Sequence, residues 1–196
     1  MTRPHATDLG NGTLLAHEDE RLWGRRFAYP NQRLLHWPML ASGDFDLMKP
    51  FCDYYRDVLP MRRAITHAWS GHEGADCREN IEPTGGERDC GNGGRPARTK
   101  PGERWNGWCH DFHFTSGLET LAMMLDYVGF SRDKKLRDRV MVPFARAVLL
   151  FFEEHHLRGA DGQLRLEPAQ VLEAFGIAAN PAPDVEGLRF ALDVLL

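Results

Sequence analysis

Apolar residues recur at helical spacing along most of this chain, and one long stretch without such a stripe interrupts them. Phe45, Met48, Phe51, Cys52, Tyr55 and Val58 fall on one face of a helix, as do Leu118, Leu121, Ala122, Leu125 and Val128. Leu136, Val140, Phe144, Ala147, Val148, Phe151 and Phe152 form a third stripe, and Val185, Leu188, Leu192 and Leu195 a fourth. Between them, residues 70–107 hold nine of the 19 glycines, together with Pro83, Pro96 and Pro101 and few aliphatics. No segment alternates as a strand would. The pattern predicts an all-α fold of about five or six helices carrying one long Gly-rich loop.

Residues 1–21 are polar and read as a lead-in to a domain spanning 22–196. Leu22 to Leu40, rich in aromatics and without a clean period, reads as a packed irregular loop. The first helix is expected from about Asp44, with Pro50 tolerated near its first turn or kinking it, and its face runs out near Pro60. A second helical piece is expected over Met61 to Trp69. Ser116-Gly-Leu-Glu119 has the form of a capping box, and the helix it opens should end at Gly129. Another should begin near Asp133 and run to His155-His156, with Pro143 kinking it or opening a new helix. Asp161-Gly162 reads as a turn. The final helix is still apolar at Leu195-Leu196, a face that wants a covering element.

The loop of residues 70–107 is too long to be a plain connection and divides in two. Gly71-His72-Glu73-Gly74 to Glu79-Asn80 has the polar density of a site, and Thr84 to Arg104 reads as a mobile insertion.

Composition narrows the function classes. With 42% hydrophobic and 27% charged residues the chain is of globular type, and 24 Lys+Arg against 28 Asp+Glu leave no basic footprint for a nucleic acid. The longest apolar run, Ala145 to Phe152, is too short to span a bilayer, and residues 1–12 contain no signal-peptide core. Cys52, Cys77, Cys90 and Cys109 are spaced neither as a metal knuckle nor as a dense disulfide scaffold. Cys109-His110-x-x-His113, with His72, holds zinc-type ligands at a spacing that is not a standard one, so no metal or other cofactor is expected.

The aromatics offer stacking surfaces for the apolar face of a ligand ring or material for a core. Trp37 and Trp23 suit the core better, and Trp105 and Trp108, in a Gly-rich region before a helix, suit a platform. His72, Glu73, Asp111 and His113 are candidates to bind hydroxyls, or simply to hold loop structure. Glu173 lies among Val171, Leu172, Ala174 and Phe175, apolar neighbours of the kind that keep a carboxyl protonated, although a single Glu beside a helix is more often a solvated surface residue.

Four stretches together resemble one family: His36-Trp-Pro-Met-Leu-Ala-Ser-Gly-Asp-Phe-Asp46, Gly71-His-Glu-Gly74, Gly117-Leu-Glu-Thr-Leu-Ala-Met-Met-Leu-Asp-Tyr127, and Leu166-Glu-Pro-Ala-Gln-Val-Leu-Glu173 followed by Asn180-Pro-Ala-Pro-Asp184. They are similar to the catalytic barrel of bacterial glycoside hydrolases, in particular family 95, the inverting α-L-fucosidases and α-galactosidases, and its uncharacterised relatives.

The resemblance implies an (α/α)6 toroid with a sugar site at one end, a carbohydrate as partner, and inversion by two carboxyl-type groups acting through a water. It places the general acid at Glu173, five residues after Pro168, and a water-holding asparagine at Asn31, six residues before Trp37. The family's other asparagine falls on Tyr29, a departure, and its base-side Asp has no counterpart among these residues. Family members are often secreted or periplasmic. Twelve helices of about 11–12 residues need a longer chain, so the sequence is read as about half of such a barrel. The alternative is a non-catalytic carbohydrate-binding or structural remnant that lacks the base.

Overall fold

A computed structural model describes residues 27–86, 112–171 and 177–196. The described chain is mostly helical. Its helices are α1 (Tyr29–Ser42), α2 (Phe45–Ser70), α3 (Thr115–Ser131), α4 (Lys134–Leu136), α5 (Val142–His155) and α6 (Ala182–Leu195), with a π-helical turn, Arg137–Met141, joining α4 to α5. Three two-residue antiparallel ladders accompany them: β1 (Phe27–Ala28) with β2 (Asn80–Ile81), β3 (Leu157–Arg158) with β4 (Leu164–Arg165), and β5 (Ala169–Gln170) with β6 (Ile177–Ala178). Among the described residues no helix is long and apolar enough to cross a membrane.

Several expectations are corrected. The segment read as irregular loop contains α1, which runs through Pro38. Its period is hidden because its polarity is inverted: Gln32 and His36 are buried, whereas Leu34 and Trp37 are exposed. The two helical pieces expected around Pro60 are one helix, α2, which passes through Pro50 and Pro60 and buries Met48, Phe51, Cys52, Tyr54, Tyr55, Val58, Arg62 and Thr66. It stops at Gly71, left-handed at φ 76°, whose N–H donates to the His67 carbonyl. The three ladders correct the expectation of no strand pairing, but they are too short to build a layer.

The capping box does not form. The helix begins at Thr115, with Phe114 at the cap position and no side-chain cap bond. Ser116 is already helical and buried, and Glu119 instead pairs with Arg33 of α1, Nη1 to Oε1 at 2.7 Å. The helix also passes Gly129 and closes at Arg132, left-handed at φ 58°. Asp133 does open the next helix, its Oδ1 accepting from the Leu136 N–H at 2.9 Å. Pro143, in the first turn of α5, lacks the N–H that would bond four residues back, and the π turn lies directly before it.

The core lies where α1, α2, α3 and α5 meet. Tyr29, Met48, Phe51, Tyr55, Leu118, Leu121, Met124, Phe144, Val148 and Phe151 are all at most 2% exposed, and each such large side chain stabilises the fold by about 1.5–3 kcal/mol through removal from water. Tyr55 packs edge-on against Phe51 and Phe144, joining α2 to α5. Cys52 and Cys77 are buried free thiols whose pKa values burial pushes up to about 12; Cys90 and Cys109 lie outside the described residues.

The contacts set the direction of each helix. Arg33 and Glu119, each one turn into its helix, meet, so α1 and α3 start at the same end. Asp184, in the first turn of α6, meets Thr115, the first residue of α3. The ends of α2 and α5 meet through His72 and His155. One end of the molecule therefore gathers three helix starts, two helix ends and all three ladders, and the opposite end holds the short turns at Gly43 and Arg132.

The described part of the Gly-rich loop is held by side chains of α2. Fully buried Arg62 donates from Nε to the Asp76 carbonyl at 2.8 Å and from Nη1 to the Gly85 carbonyl at 3.3 Å. Thr66 Oγ1 accepts from the Asp76 N–H, and Tyr54 donates to the Glu82 carbonyl, both at 2.8 Å. A guanidinium aimed at backbone carbonyls satisfies groups that a buried loop would otherwise leave orphaned. Residues 87–111 lie outside the described residues.

Candidate functional site

Two polar groups form at the end where the loops gather. The first is built from backbone registration. The Tyr29 N–H donates to the Glu79 carbonyl at 2.8 Å, and Ala28 pairs with Asn80, so Glu79 sits beside the start of α1. Its carboxylate faces His113, with Nδ1 to Oε2 at 3.5 Å and both side chains largely buried. The residue before His113, Phe112, accepts the Gln170 N–H on its carbonyl at 2.8 Å, which brings β5 to the same place. Thr115 Oγ1 then donates to Asp184 Oδ1 at 2.5 Å.

Asp184 is fully buried. Burial raises its pKa, while the Thr115 hydroxyl and the nearby His113 pull it back down. The buried atoms Asp184 Oδ2, Gln170 Oε1 and Ser116 Oγ find no hydrogen-bond partner among the described residues. His113 is thus in the field of two carboxylates, Glu79 and Asp184, in dry surroundings. The acceptor oxygens that find no partner among the described residues suit hydroxyl donors.

The second group joins the ends of α2 and α5. His72 Nδ1 lies 2.7 Å from the Glu73 carbonyl, which only accepts, so this nitrogen carries the proton. In the neutral ring Nε2 is then an acceptor, and His155 Nδ1–H donates to it across 2.9 Å. His155 stacks on Phe151 at 4.6 Å and meets Phe114 edge-on at 5.0 Å. His156 lies against Phe114 and Phe152, and neither of its ring nitrogens has a partner among the described residues. Burial lowers the pKa of both His155 and His156 to about 4, with neighbouring His72 adding to the effect. Glu73 faces outward: its N–H donates to Glu154 at 2.8 Å, and its carboxylate pairs with Arg63 at 3.2 Å.

The residues expected to form a site are thus partly assembled. His113 belongs to the first group, and His72 and Glu73 to the second. Phe114 links the two, next to His113 in sequence and packed on His155. Asn31 belongs to the first turn of α1. Trp37 is set apart from them: it is 41% exposed on α1, its indole donating to the Asp126 carboxylate, and lies about 9 Å further along the helix axis than Asn31. Glu173, Trp105, Trp108 and Asp111 lie outside the described residues, as does His110. His72 and His113 occupy different groups, and among the described residues no three His, Cys, Asp or Glu are grouped to hold a metal ion.

Sequence reasoning included Glu79 and Asp184 only within longer stretches and gave neither of them a role. Glu79 stood at the edge of a stretch marked by its polar density. Asp184, after Asn180-Pro-Ala-Pro, looks like any acidic residue in a first helical turn. In comparison with known proteins, the chain matches no family model, and no curated protein matches it.

Proposed function

We propose that this chain is a glycoside hydrolase-like catalytic domain, part of an (α/α)6 toroid, that acts on an oligosaccharide or polysaccharide. Glu173 is the general acid at the glycosidic oxygen, and Asn31 helps to hold the attacking water. The observation that carries this reading is the convergence of the described flanks. The start of α1 that includes Asn31, the His113–Glu79 pair, and β5 and β6 on either side of Glu173 belong to one end of the bundle. Catalysis of this type needs an acid on one face of the sugar bond and a polarised water on the other, with carboxyl groups about 6.5–9.5 Å apart for inversion. His113, with the buried oxygens of Asp184, Gln170 and Ser116 that find no partner among the described residues, suits a neutral, hydroxyl-rich ligand.

The test compares alkyl and nitrophenyl α-fucosides and α-galactosides as substrates of the parent and of Glu173→Gln. The expected result is a loss of about 10²–10⁴-fold on the alkyl glycosides. The loss on nitrophenyl glycosides should be smaller, because nitrophenolate leaves without a proton. NMR of the first-formed sugar should show the inverted anomer. Equal turnover by both proteins removes Glu173 from the role of acid. Sugar binding by a parent that turns over none of these substrates favours the non-catalytic binding domain.

A further inference from the structure

We propose that the groove between the later turns of α3 and α6 binds a small organic cation, an ammonium group carried on an apolar or aromatic body, with Asp126 as its counter-charge. The site is separate from the candidate hydrolase site and does not rest on that reading. Asp126 stands 11 residues after Thr115, about 16 Å further along the axis of α3 than the end where the loops gather. The groove follows from the packing of the two helices. They begin together at the Thr115–Asp184 hydrogen bond, and Gly187 lets α6 close on Leu118 of α3, where a Cβ would lie 3.0 Å from Leu118 Cβ. Further along, Leu125, Asp126, Gly129 and Phe130 of α3 with Phe190 and Val194 of α6 line a cavity of about 350 Å³. That volume falls in the lower part of the range that small-molecule sites occupy.

The lining combines one carboxylate with aromatic rings. Gly129 is not required by the backbone: it lies inside the helix, and a Cβ on it would meet nothing within 4 Å. A glycine in a helix interior costs about 1 kcal/mol relative to alanine, and its effect here is to leave the groove open. Phe130 and Phe190 are 61% and 41% exposed, and the face of an aromatic ring attracts a cation. Asp126 is half-buried; burial raises its pKa, and the hydrogen bond from the Trp37 indole of α1 pulls it back down. Among the described residues no Lys, Arg or His pairs with this carboxylate, and the Trp37 donor that holds it is neutral. A cation in the groove offsets the cost of keeping that charge partly dry. The carbonyls of the last turn of α3 add partial negative charge around Gly129 and Phe130. Charge therefore selects a cation, and the apolar lining selects one with an apolar body over a bare metal ion.

The test is an NMR titration of the full chain with phenethylammonium, 2-phenylethanol and phenylacetate, which share an aromatic body and differ in charge. Phenethylammonium should give saturable shifts at the Gly129 and Phe130 amides and at the Trp37 indole N–H, which reports on Asp126 directly. It should bind about tenfold more tightly than the alcohol, and phenylacetate should move none of these signals. Asp126→Asn keeps an acceptor for Trp37 and should weaken the ammonium about tenfold while leaving the alcohol within about twofold. Gly129→Leu fills the groove from an exposed position, so it should weaken both ligands about tenfold without lowering the melting temperature. Equal affinity for the ammonium and the alcohol overturns the proposal, as does the absence of saturable shifts. So does an ammonium affinity unchanged in Asp126→Asn or in Gly129→Leu. Shifts at the exposed Asp138 as large as those at Gly129 would show general attraction of cations to acidic groups, and would also overturn it. Sedimentation that finds the parent a dimer and Phe190→Ser a monomer, with no ammonium-dependent shift, assigns the groove to a second copy of the chain instead.

Discussion

At the scale of single residues, Gly74 shows how closely the loop after α2 is seated. Its φ is +101°, and a Cβ at this position would lie 2.4 Å from the Phe151 backbone nitrogen. The obstructing atoms are backbone in the middle of α5, so they cannot turn aside as a side chain would. The neighbouring bond from the Ala75 N–H to the Ala147 carbonyl at 2.9 Å fixes the same approach. Gly74→Ala is therefore expected to cost about 3 kcal/mol, combining backbone strain with a clash in the core. Gly71 is the control, since it is left-handed at φ +76° but a Cβ there meets nothing within 4 Å. Gly71→Ala should cost only the conformational penalty of about 1–2 kcal/mol. Urea unfolding midpoints of the two variants, at unchanged m-value, measure the difference; equal losses would show that close packing at Gly74 contributes nothing.

At the scale of helices, the start of α3 separates what a motif suggests from what packing decides. A capping Ser116 would lose about 1 kcal/mol on replacement by alanine. In the structure Ser116 lies inside the helix, 2% exposed, with an Oγ that has no partner among the described residues. Ser116→Ala removes a buried hydroxyl without breaking a bond, so the melting temperature should stay level or rise. A clear fall in thermal melts would restore the capping box. The same contrast explains which elements were legible in the sequence. α2, α3, α5 and α6 each show an apolar stripe, and their existence followed from its period. α1 did not, because it buries Gln32 and His36 against the core while presenting Leu34 and Trp37 outward. Gln32 is held there by Tyr55, whose hydroxyl donates to Oε1 at 3.1 Å, a partner that no local pattern reveals. The site was legible to a similar degree. His72, Glu73 and His113 stood out by residue type and loop context, whereas Glu79 and Asp184 acquire their significance from residues 34 and 69 positions away in the chain.

At the scale of the whole molecule, burying histidines where the loops gather makes stability depend on pH in a definite sense. His155 and His156 are held near pKa 4 in the folded state, chiefly by burial, whereas a histidine in the unfolded chain titrates near 6.5. Between these values the unfolded state binds more protons than the folded state, so stability falls as pH drops through the window from about 6.5 to about 4. Above it both states carry neutral rings and the contribution is constant. The neighbours reinforce this sense: Arg78 adds positive charge near His155, and Phe114, Phe151 and Phe152 supply no acceptor. Asp184 works the other way, because its raised pKa lets the folded state take up a proton first and so relieves its burial in acid. His156→Phe separates the two, since the ring already packs among aromatics and neither nitrogen has a partner among the described residues. Melting temperatures measured across this range should fall less steeply toward acid in His156→Phe than in the parent, and the two proteins should differ little in slope above about pH 7. An unchanged acid slope in the variant would show that His156 accepts its proton without leaving the folded state.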